Sequence, residues 1–427
     1  MNYNTFSENK NRSASDPNQG QTDEHAILAV LNACTPFAWK RVGGVPLIGR
    51  ILFHLNKVGI KKTFVILKDN APPLDLSKWR GELVLGYVQL KGDVPSTILT
   101  VMEDKKGPVL YIDAGHLIDP RLIDTLITAS ETTLLHIDTH DLEKEKVRAG
   151  LLLYKEDLDI WIESGGSALI RNSRQLFPAD IDPFSQEIRG PVVPYFLEIN
   201  SRDDARKATR ILVRSMQKKV MDLPAEFIDP YLENPLTVLL LDTPVTPNMV
   251  TIFGLIVAIM VACLFWHGYF VAGALGTFVV EILDGVDGKL ARTKLQFTKF
   301  GEYECIIDYF YENSWYIAIG MGLSHITPGK LPALLASLMV ISDTVENVLY
   351  TLSDRWYGKS IDLLSPFDSA FRRIAGRRNI YGFMFIIGFS LGYPVKTFFA
   401  AAVWAAITAV VHSFRLLQFR RRANKET

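Results

Sequence analysis

Beyond about residue 240 the apolar runs of this 427-residue chain lengthen towards bilayer dimensions, and no other feature restricts its fold as strongly. A hydrocarbon core about 30 Å thick needs roughly 20 apolar helical residues to cross it. Six stretches qualify as spans: Met249–Trp266, Tyr269–Leu283, Ile306–Leu323, Leu331–Leu352, Ile380–Leu391 and Thr397–Phe414, the second and fifth being short. Basic residues gather on one side of them. Lys289, Arg292, Lys294 and Lys299 follow the second span, Arg355, Lys359, Arg372, Arg373, Arg377 and Arg378 the fourth, and Arg415, Arg420, Arg421, Arg422 and Lys425 the sixth. The other side offers only Lys330 and Lys396. By the positive-inside rule the expectation is an integral protein of the cell inner membrane with both termini cytoplasmic.

Before residue 240, short apolar runs alternate with charged stretches, as in a soluble α/β domain. The first 23 residues are polar, lack the apolar core of a signal peptide and read as a disordered cytoplasmic tail. Cys34, Cys263 and Cys305 have no metal-like spacing, which argues against a disulfide framework or a zinc site. The formal net charge is zero, and no nucleic-acid partner is expected.

The second span runs into "DGVDGKLART", Asp284 to Thr293. On a helix Asp284 and Asp287 share a face, with Gly288, Ala291 and Arg292 close to it. Two carboxylates one turn apart suit a hard divalent cation, which prefers oxygen ligands. The small Gly288 and Ala291 let a phosphorylated ligand approach the backbone. At the start of the third span Glu304, Asp308 and Glu312 recur every four residues, an acidic stripe on an otherwise apolar and aromatic helix. Ionisable groups in a span are costly and face a partner, a cavity or a site. A transporter or structural anchor would place such groups near the midplane, often in repeated halves. Here they sit at a cytoplasmic helix end, and no internal repeat is visible.

This stretch resembles the signature of the CDP-alcohol phosphatidyltransferase family. Asp284, Asp287, Gly288, Ala291, Arg292 and Gly301 fall at the family's spacing, and "TPNMVT" (Thr246 to Thr251) resembles its entry sequence. The third and fourth acids depart from the pattern: Cys305 and Tyr309 stand where aspartates are usual, with Glu304 and Asp308 one residue earlier. One residue turns a helical side chain by roughly 100°. The resemblance implies transfer of a phospho-alcohol group from a CDP-alcohol to an acceptor alcohol's hydroxyl, with release of CMP. It implies Mg²⁺ or Mn²⁺ held by Asp284, Asp287, Glu304 and Asp308, with Asp308 as the catalytic base. Gly288, Ala291 and Arg292 would lie by the nucleotide. Arg377 and Arg378 are candidates for an acceptor phosphate or lipid headgroup, or else positive-inside anchors, and Asp343 and Glu346 either line the cavity or support packing. The lipid bilayer is a partner, a homodimer is admitted, and phospholipid or polyol-phosphate synthesis is the expected setting. A catalytically degenerate binding module is the alternative from another class.

The front half reads as strand, helix, strand in "HAILAVL", "PLIGRILFHLNKVGI" and "KTFVIL", then strand, loop and helix in "GPVLYIDAGHLIDPRLIDTLI". Such alternation predicts a largely parallel sheet. With "YFLEINSRDDARKATRIL" these pieces resemble sugar-phosphate nucleotidyltransferases. Where such enzymes carry a Gly-rich phosphate loop, this chain has "LNACTPFAWKRVGG", with no glycine before Gly43. Asp113 is a candidate for the metal-binding acid of the middle strand, Gly115 occupies another position where that acid would fit, Lys40 is a candidate surviving phosphate contact, and Glu198 and Asn200 stand where two aspartates are common. The expectation is therefore a multidomain chain, in four parts. They are a tail (1–23), an inactive nucleotidyltransferase-like α/β domain (24–213), an amphipathic linker at the membrane surface (214–242) and an all-α six-helix transmembrane bundle (243–420). The layout resembles chains that join an inositol-phosphate cytidylyltransferase to a di-inositol phosphate synthase, so a bifunctional enzyme is the second reading.

Overall fold

The computed structural model describes residues 26–68, 73–102, 107–138, 146–152, 154–185, 188–297 and 303–426. The expected N-terminal tail, Lys299 and Gly301 lie outside the described residues, as do the side chains of Glu304, Cys305 and Lys425.

Seven strands form the sheet of the front domain: β1 (Leu28–Asn32), β2 (Lys62–Leu67), β3 (Val84–Gln89), β4 (Val109–Asp113), β5 (Thr133–Leu135), β6 (Ala149–Leu152) and β7 (Arg174–Leu176). Their order is β7-β5-β6-β4-β1-β2-β3. β1 pairs in parallel with β2 and β4, which sets Asn32 beside Ile66 on one side and Asp113 on the other. β6 runs antiparallel to both β4 and β5 while the other pairings are parallel, so the sheet is the largely parallel one that the sequence predicts, with β6 reversed within it.

Helices cover both faces, as a sheet with buried central strands requires. α1 (Leu47–Lys57) and α3 (Pro120–Ile127) bury Ile48, Leu52, Leu122 and Leu126 against Ala29 and Leu31. On the opposite face α2 (Val94–Val101) and α4 (Lys155–Asn172) bury Ile98, Leu158 and Leu169 against Leu28 and Val30. α5 (Arg202–Ser215) starts at Ser201, whose hydroxyl accepts from the Asp204 amide, satisfying one donor of the first turn.

The linker folds into α6 (Leu223–Phe227) and α7 (Asp229–Leu241). On α7 the buried stripe is Asp229, Glu233, Thr237 and Leu241, while Tyr231, Leu232 and Leu239 face outward. An outward apolar face suits a helix that lies on a membrane surface.

The C-terminal region is helical: α8 (Pro247–Trp266), α9 (Phe270–Lys294), α10 (Glu304–Ser324), α11 (Leu331–Tyr357), α12 (Pro366–Arg372), α13 (Arg378–Ser390) and α14 (Pro394–Glu426). α8 buries Val250, Val257, Val261 and Phe265 yet exposes Ile252, Phe253, Ile256 and Ile259. A helix apolar all round belongs in lipid. Among the described residues three helices are long and apolar enough to cross a bilayer, Pro247–Trp266, Leu331–Tyr357 and Pro394–Ala423. The other three expected spans fall within α9, α10 and α13. By that measure these helices do not qualify. α9 ends in the charged motif, α10 carries its acids, and α13 has only 13 residues.

Polar ties cross the bundle. Glu346 of α11 pairs with the buried His412 of α14 at 2.7 Å, and Asn313 of α10 donates to Asp343 of α11 at 2.8 Å. The front domain seats directly on the bundle: Arg50 of α1 donates through Nη2 to the Thr293 carbonyl at 2.6 Å, in the last turn of α9. That carbonyl has no partner within its own helix, so Arg50 supplies one.

Candidate active site

The motif stands on α9, which continues from its apolar part without a break and ends at Leu295 in the left-handed region, φ 54°. Asp284 is about one-third exposed, at 34% of its side chain. Asp287, one turn on, is buried and accepts from the Thr251 hydroxyl of α8 at 2.6 Å. Arg292 folds back over Gly288, where a Cβ would lie 3.3 Å from its Nη1, and donates to the Met216 carbonyl at 3.2 Å. Ala291 is half-buried on the same turn.

The remaining face of the motif is closed by α7. Lys289 forms a buried pair with Glu233 at 2.7 Å and donates to Asn234 at 2.6 Å. Gly285 has no room for a side chain, because a Cβ there would meet Glu233 Oε1 at 1.8 Å. Burial pushes the Glu233 carboxyl up, with Lys289 opposing. Asp229, also buried and charged against Glu233, is pushed up to about 7.

The facing acids come from α10 and meet Asp284 through one arginine. Arg378, at the start of α13, reaches Asp284 Oδ2 at 2.6 Å, Glu312 Oε1 at 3.0 Å and Asp308 Oδ2 at 4.0 Å, and donates to the Tyr311 hydroxyl. Tyr309 turns away, its hydroxyl 2.9 Å from Thr344 Oγ1 of α11. Arg377 lies over the Tyr350 ring, 4.8 Å from its centroid. The structure thus brings Asp284, Asp308 and Arg378 together, sets Asp287 a turn away, and gives Arg378 acidic partners rather than leaving it an isolated surface anchor. Thr251, Tyr311 and Glu312 join the site as contacts that sequence reasoning did not assign to it. Thr251 had a signal, its place in "TPNMVT", and Glu312 had its spacing. Among the described residues no three acid, histidine or cysteine side chains converge on one point as metal ligands do.

In the front domain Asp113 ends β4 and its carboxylate accepts from the Gly115 amide at 3.0 Å. Glu198 pairs with the buried Arg148 at 2.8 Å, and Arg148 also contacts His116 at 2.8 Å. The segment in place of a phosphate loop forms a short turn, Pro36–Trp39, whose indole donates back to the Ala33 carbonyl at 3.2 Å.

The sequence profile of the family described as CDP-alcohol phosphatidyltransferase matches residues 244–411, which contain Asp284, Asp287, Asp308 and Arg378. The C-terminal part of the chain is a domain of that family. The chain is accordingly a membrane enzyme that transfers a phospho-alcohol group from a CDP-alcohol with release of CMP. A relative in Aquifex aeolicus (strain VF5), the bifunctional IPC transferase and DIPP synthase, is 22% identical over 93% of this chain and 96% of its own length. Among solved structures, the Mycobacterium tuberculosis phosphatidylinositol phosphate synthase with CDP-DAG bound is 19% identical, with a TM-score of 0.35, over 43% of this chain and 92% of that one. The 4-diphosphocytidyl-2C-methyl-D-erythritol synthase of Anaerococcus prevotii DSM 20548 is 12% identical, with a TM-score of 0.33, over 44% of this chain and 99% of that one.

Proposed function

We propose that the cleft between α9, α10 and α13 performs the transfer. The observation that carries the reading is Arg378, which joins Asp284 of the motif helix to Glu312 and Asp308 of the facing acidic stripe. The chemical difficulty is attack by a neutral alcohol on a negatively charged pyrophosphate, and positive charge must be supplied to its oxygens. The donor set fits Mg²⁺ or Mn²⁺: Asp284 and Asp287 one turn apart, Asp308 opposite, all oxygen donors. Asp284, Asp287 and Glu304 would hold the ion, which when bound neutralises phosphate oxygens and aligns the reacting groups. Asp308 would accept the acceptor's proton, a role that demands a carboxylate within hydrogen-bond reach of the hydroxyl. Gly288 and Ala291 would lie by the cytidine diphosphate, with the Arg292 guanidinium, which covers Gly288, moving aside to meet its phosphates. Arg378 would release Asp284 and Glu312 in part to meet phosphate. The clustered basic residues favour a site and termini on the cytoplasmic side of the cell inner membrane.

Supplying the full-length protein in detergent with Mg²⁺, a panel of CDP-alcohols and inositol phosphate or glycerol phosphate, and measuring CMP, tests this reading. Metal-dependent CMP release from wild type, lost in Asp284→Asn, is expected. Equal release from both would end it.

The front domain is the scaffold of this enzyme and is itself catalytically silent. Glu198 is neutralised by Arg148, and the 3-10 turn with Trp39 stands in place of a glycine cradle. The Aquifex aeolicus relative, matched along nearly its whole length, favours the second reading, in which the front domain makes the CDP-alcohol. Pyrophosphate release from CTP and inositol phosphate by the full chain decides between them; the first reading expects none.

A further inference from the structure

We propose that Arg189, from the front domain, is a positioning residue of the transferase cleft. It acts through Asp362 on the segment Arg377–Asn379. The inference rests on the transferase reading above.

Arg189 precedes a two-residue strand, Gly190–Pro191, paired with Phe184–Ser185. Its backbone is in the left-handed region, φ 59°, which few residues with a side chain adopt. The hairpin is fixed against the segment after α5: the Lys219 amide donates to the Ile188 carbonyl at 2.8 Å, and a Cβ at Gly190 would meet Lys219 Cβ at 2.4 Å. From there the guanidinium enters the bundle, its Nη1 3.6 Å from Asp362 Oδ2, with 11% of its side chain exposed.

Asp362 lies in the short turn Ile361–Leu363 between α11 and α12 and is fully buried. A buried carboxylate must be matched by charge and hydrogen bonds. Arg189 is one match, and Arg372 Nε, at 3.5 Å, is another. The Tyr350 hydroxyl donates to Asp362, and Ser360 Oγ does so at 3.3 Å.

Two routes lead from Asp362 to the cleft. Tyr350 presents its ring to the guanidinium of Arg377 at 4.8 Å. Arg372 donates to Asp222 at 3.1 Å, and Asp222 accepts from Asn379 at 3.2 Å. Arg377 and Asn379 flank Arg378, whose place beside Asp284 depends on how this helix start is held. Removing Arg189 leaves Asp362 with Arg372, Tyr350 and Ser360, so the fold has support without it. What changes is the balance of pull on Tyr350 and Arg372, and with it the aim of Arg378.

The test uses the full-length protein in detergent with Mg²⁺, CDP-diacylglycerol and CDP-inositol as donors, inositol phosphate or glycerol phosphate as acceptor, CMP release as the rate and CDP binding as a separate readout. Arg189→Ala is expected to lower kcat about tenfold or more, the scale on which groups behind a site act. CDP affinity should stay at the wild-type value, and Arg189→Lys, which keeps the charge, should recover most of the rate together with any melting temperature lost by leaving Asp362 one partner short. An unchanged kcat in Arg189→Ala overturns the inference. So does a loss of rate that tracks a fall in melting temperature and is not recovered by lysine, since Arg189 would then only hold the fold. The wild-type rate, measured first, separates this from the underlying reading. No CMP from wild type sinks both, whereas a normal wild-type rate equalled by Arg189→Ala sinks this one alone.

Discussion

Thr251 of α8 donates its hydroxyl to Asp287 of α9 at 2.6 Å, so the second acid of the motif is oriented by a side chain from a different helix. A carboxylate held in this way has one lone pair committed and its rotamer fixed. This is how outer groups aim metal-binding acids. Thr251→Val should therefore lower CMP release by about 10–100-fold, with the divalent-ion requirement shifted to higher concentration. Thr251→Ser should recover most of the rate, and a metal titration of the three proteins checks it.

Asp284→Asn and Asp287→Asn remove charge where the phosphates must be held. Each should cost about 10²–10³ in kcat, the usual loss for one preorganised group that stabilises developing charge. Both proteins should still insert and elute as wild type does. Full turnover in the pair would contradict the assignment of these acids.

The shifted acids can be separated from their neighbours. Asp308 lies within 4.0 Å of Arg378, whereas the Tyr309 hydroxyl meets Thr344. Asp308→Asn and Glu304→Gln should abolish CMP release, while Tyr309→Phe and Cys305→Ala should remain active. An inactive Tyr309→Phe beside an active Asp308→Asn would reverse the assignment.

Gly285 faces Glu233 so closely that a methyl group cannot be added without moving the Glu233 carboxylate off its Lys289 partner. Gly285→Ala should destabilise the protein by roughly 1–3 kcal/mol, the common cost of overpacking a filled site. Thermal melting in detergent measures it. A melting temperature equal to wild type would mean that the Glu233 carboxylate moves aside without cost.

The raised Asp229 carboxyl gives a signed pH dependence. Its value in the folded protein, about 7, lies above the usual carboxylate range, with burial the main cause and the Glu233 charge next. The folded state then holds a proton that the unfolded chain releases at lower pH. This term favours folding at acid pH and is lost as pH rises towards and through 7. Asp229→Asn cannot ionise, so its melting temperature should fall less than that of wild type between pH 5 and 8. Parallel curves would remove the effect from Asp229.

The sheet and helices of the front domain were legible wherever local pattern sufficed. "KTFVIL" is a strand over its full length, and the helix in "PLIGRILFHLNKVGI" follows its apolar spacing. The antiparallel β6 was not legible, because four buried residues, "AGLL", announce a strand but carry no direction. In the helical region, apolar length located α8, α11 and α14. The helices that carry the acids gain their burial from neighbours, as Trp315 of α10 does by donating to the Ala258 carbonyl at 2.8 Å, and this leaves little trace in hydropathy. The acidic motif could be read because all its members lie on one helix. The meeting of Arg378 with Asp284 could not, since the two are brought together only by packing between α9 and α13. Sequence alone left Arg378, with Arg377, as either a contact for an acceptor phosphate or lipid headgroup or a positive-inside anchor, and gave no sign of its acidic partners.

The unbroken course of α9 has a mechanical consequence. Its 25 residues form a rod of ~37 Å, with a greasy section from Phe270 to Val280 followed at once by the buried Glu281 and then the acids of the motif. A rod shorter in grease than the surrounding lipid is thick adjusts by thinning the bilayer or changing its lean. Because nothing hinges between the two sections, any such adjustment would carry Asp284 and Asp287 with it, raising or lowering the acids relative to the headgroups. Turnover is therefore expected to differ between bilayers of different acyl-chain length, because the surrounding lipid would help to set the depth at which donor and acceptor meet.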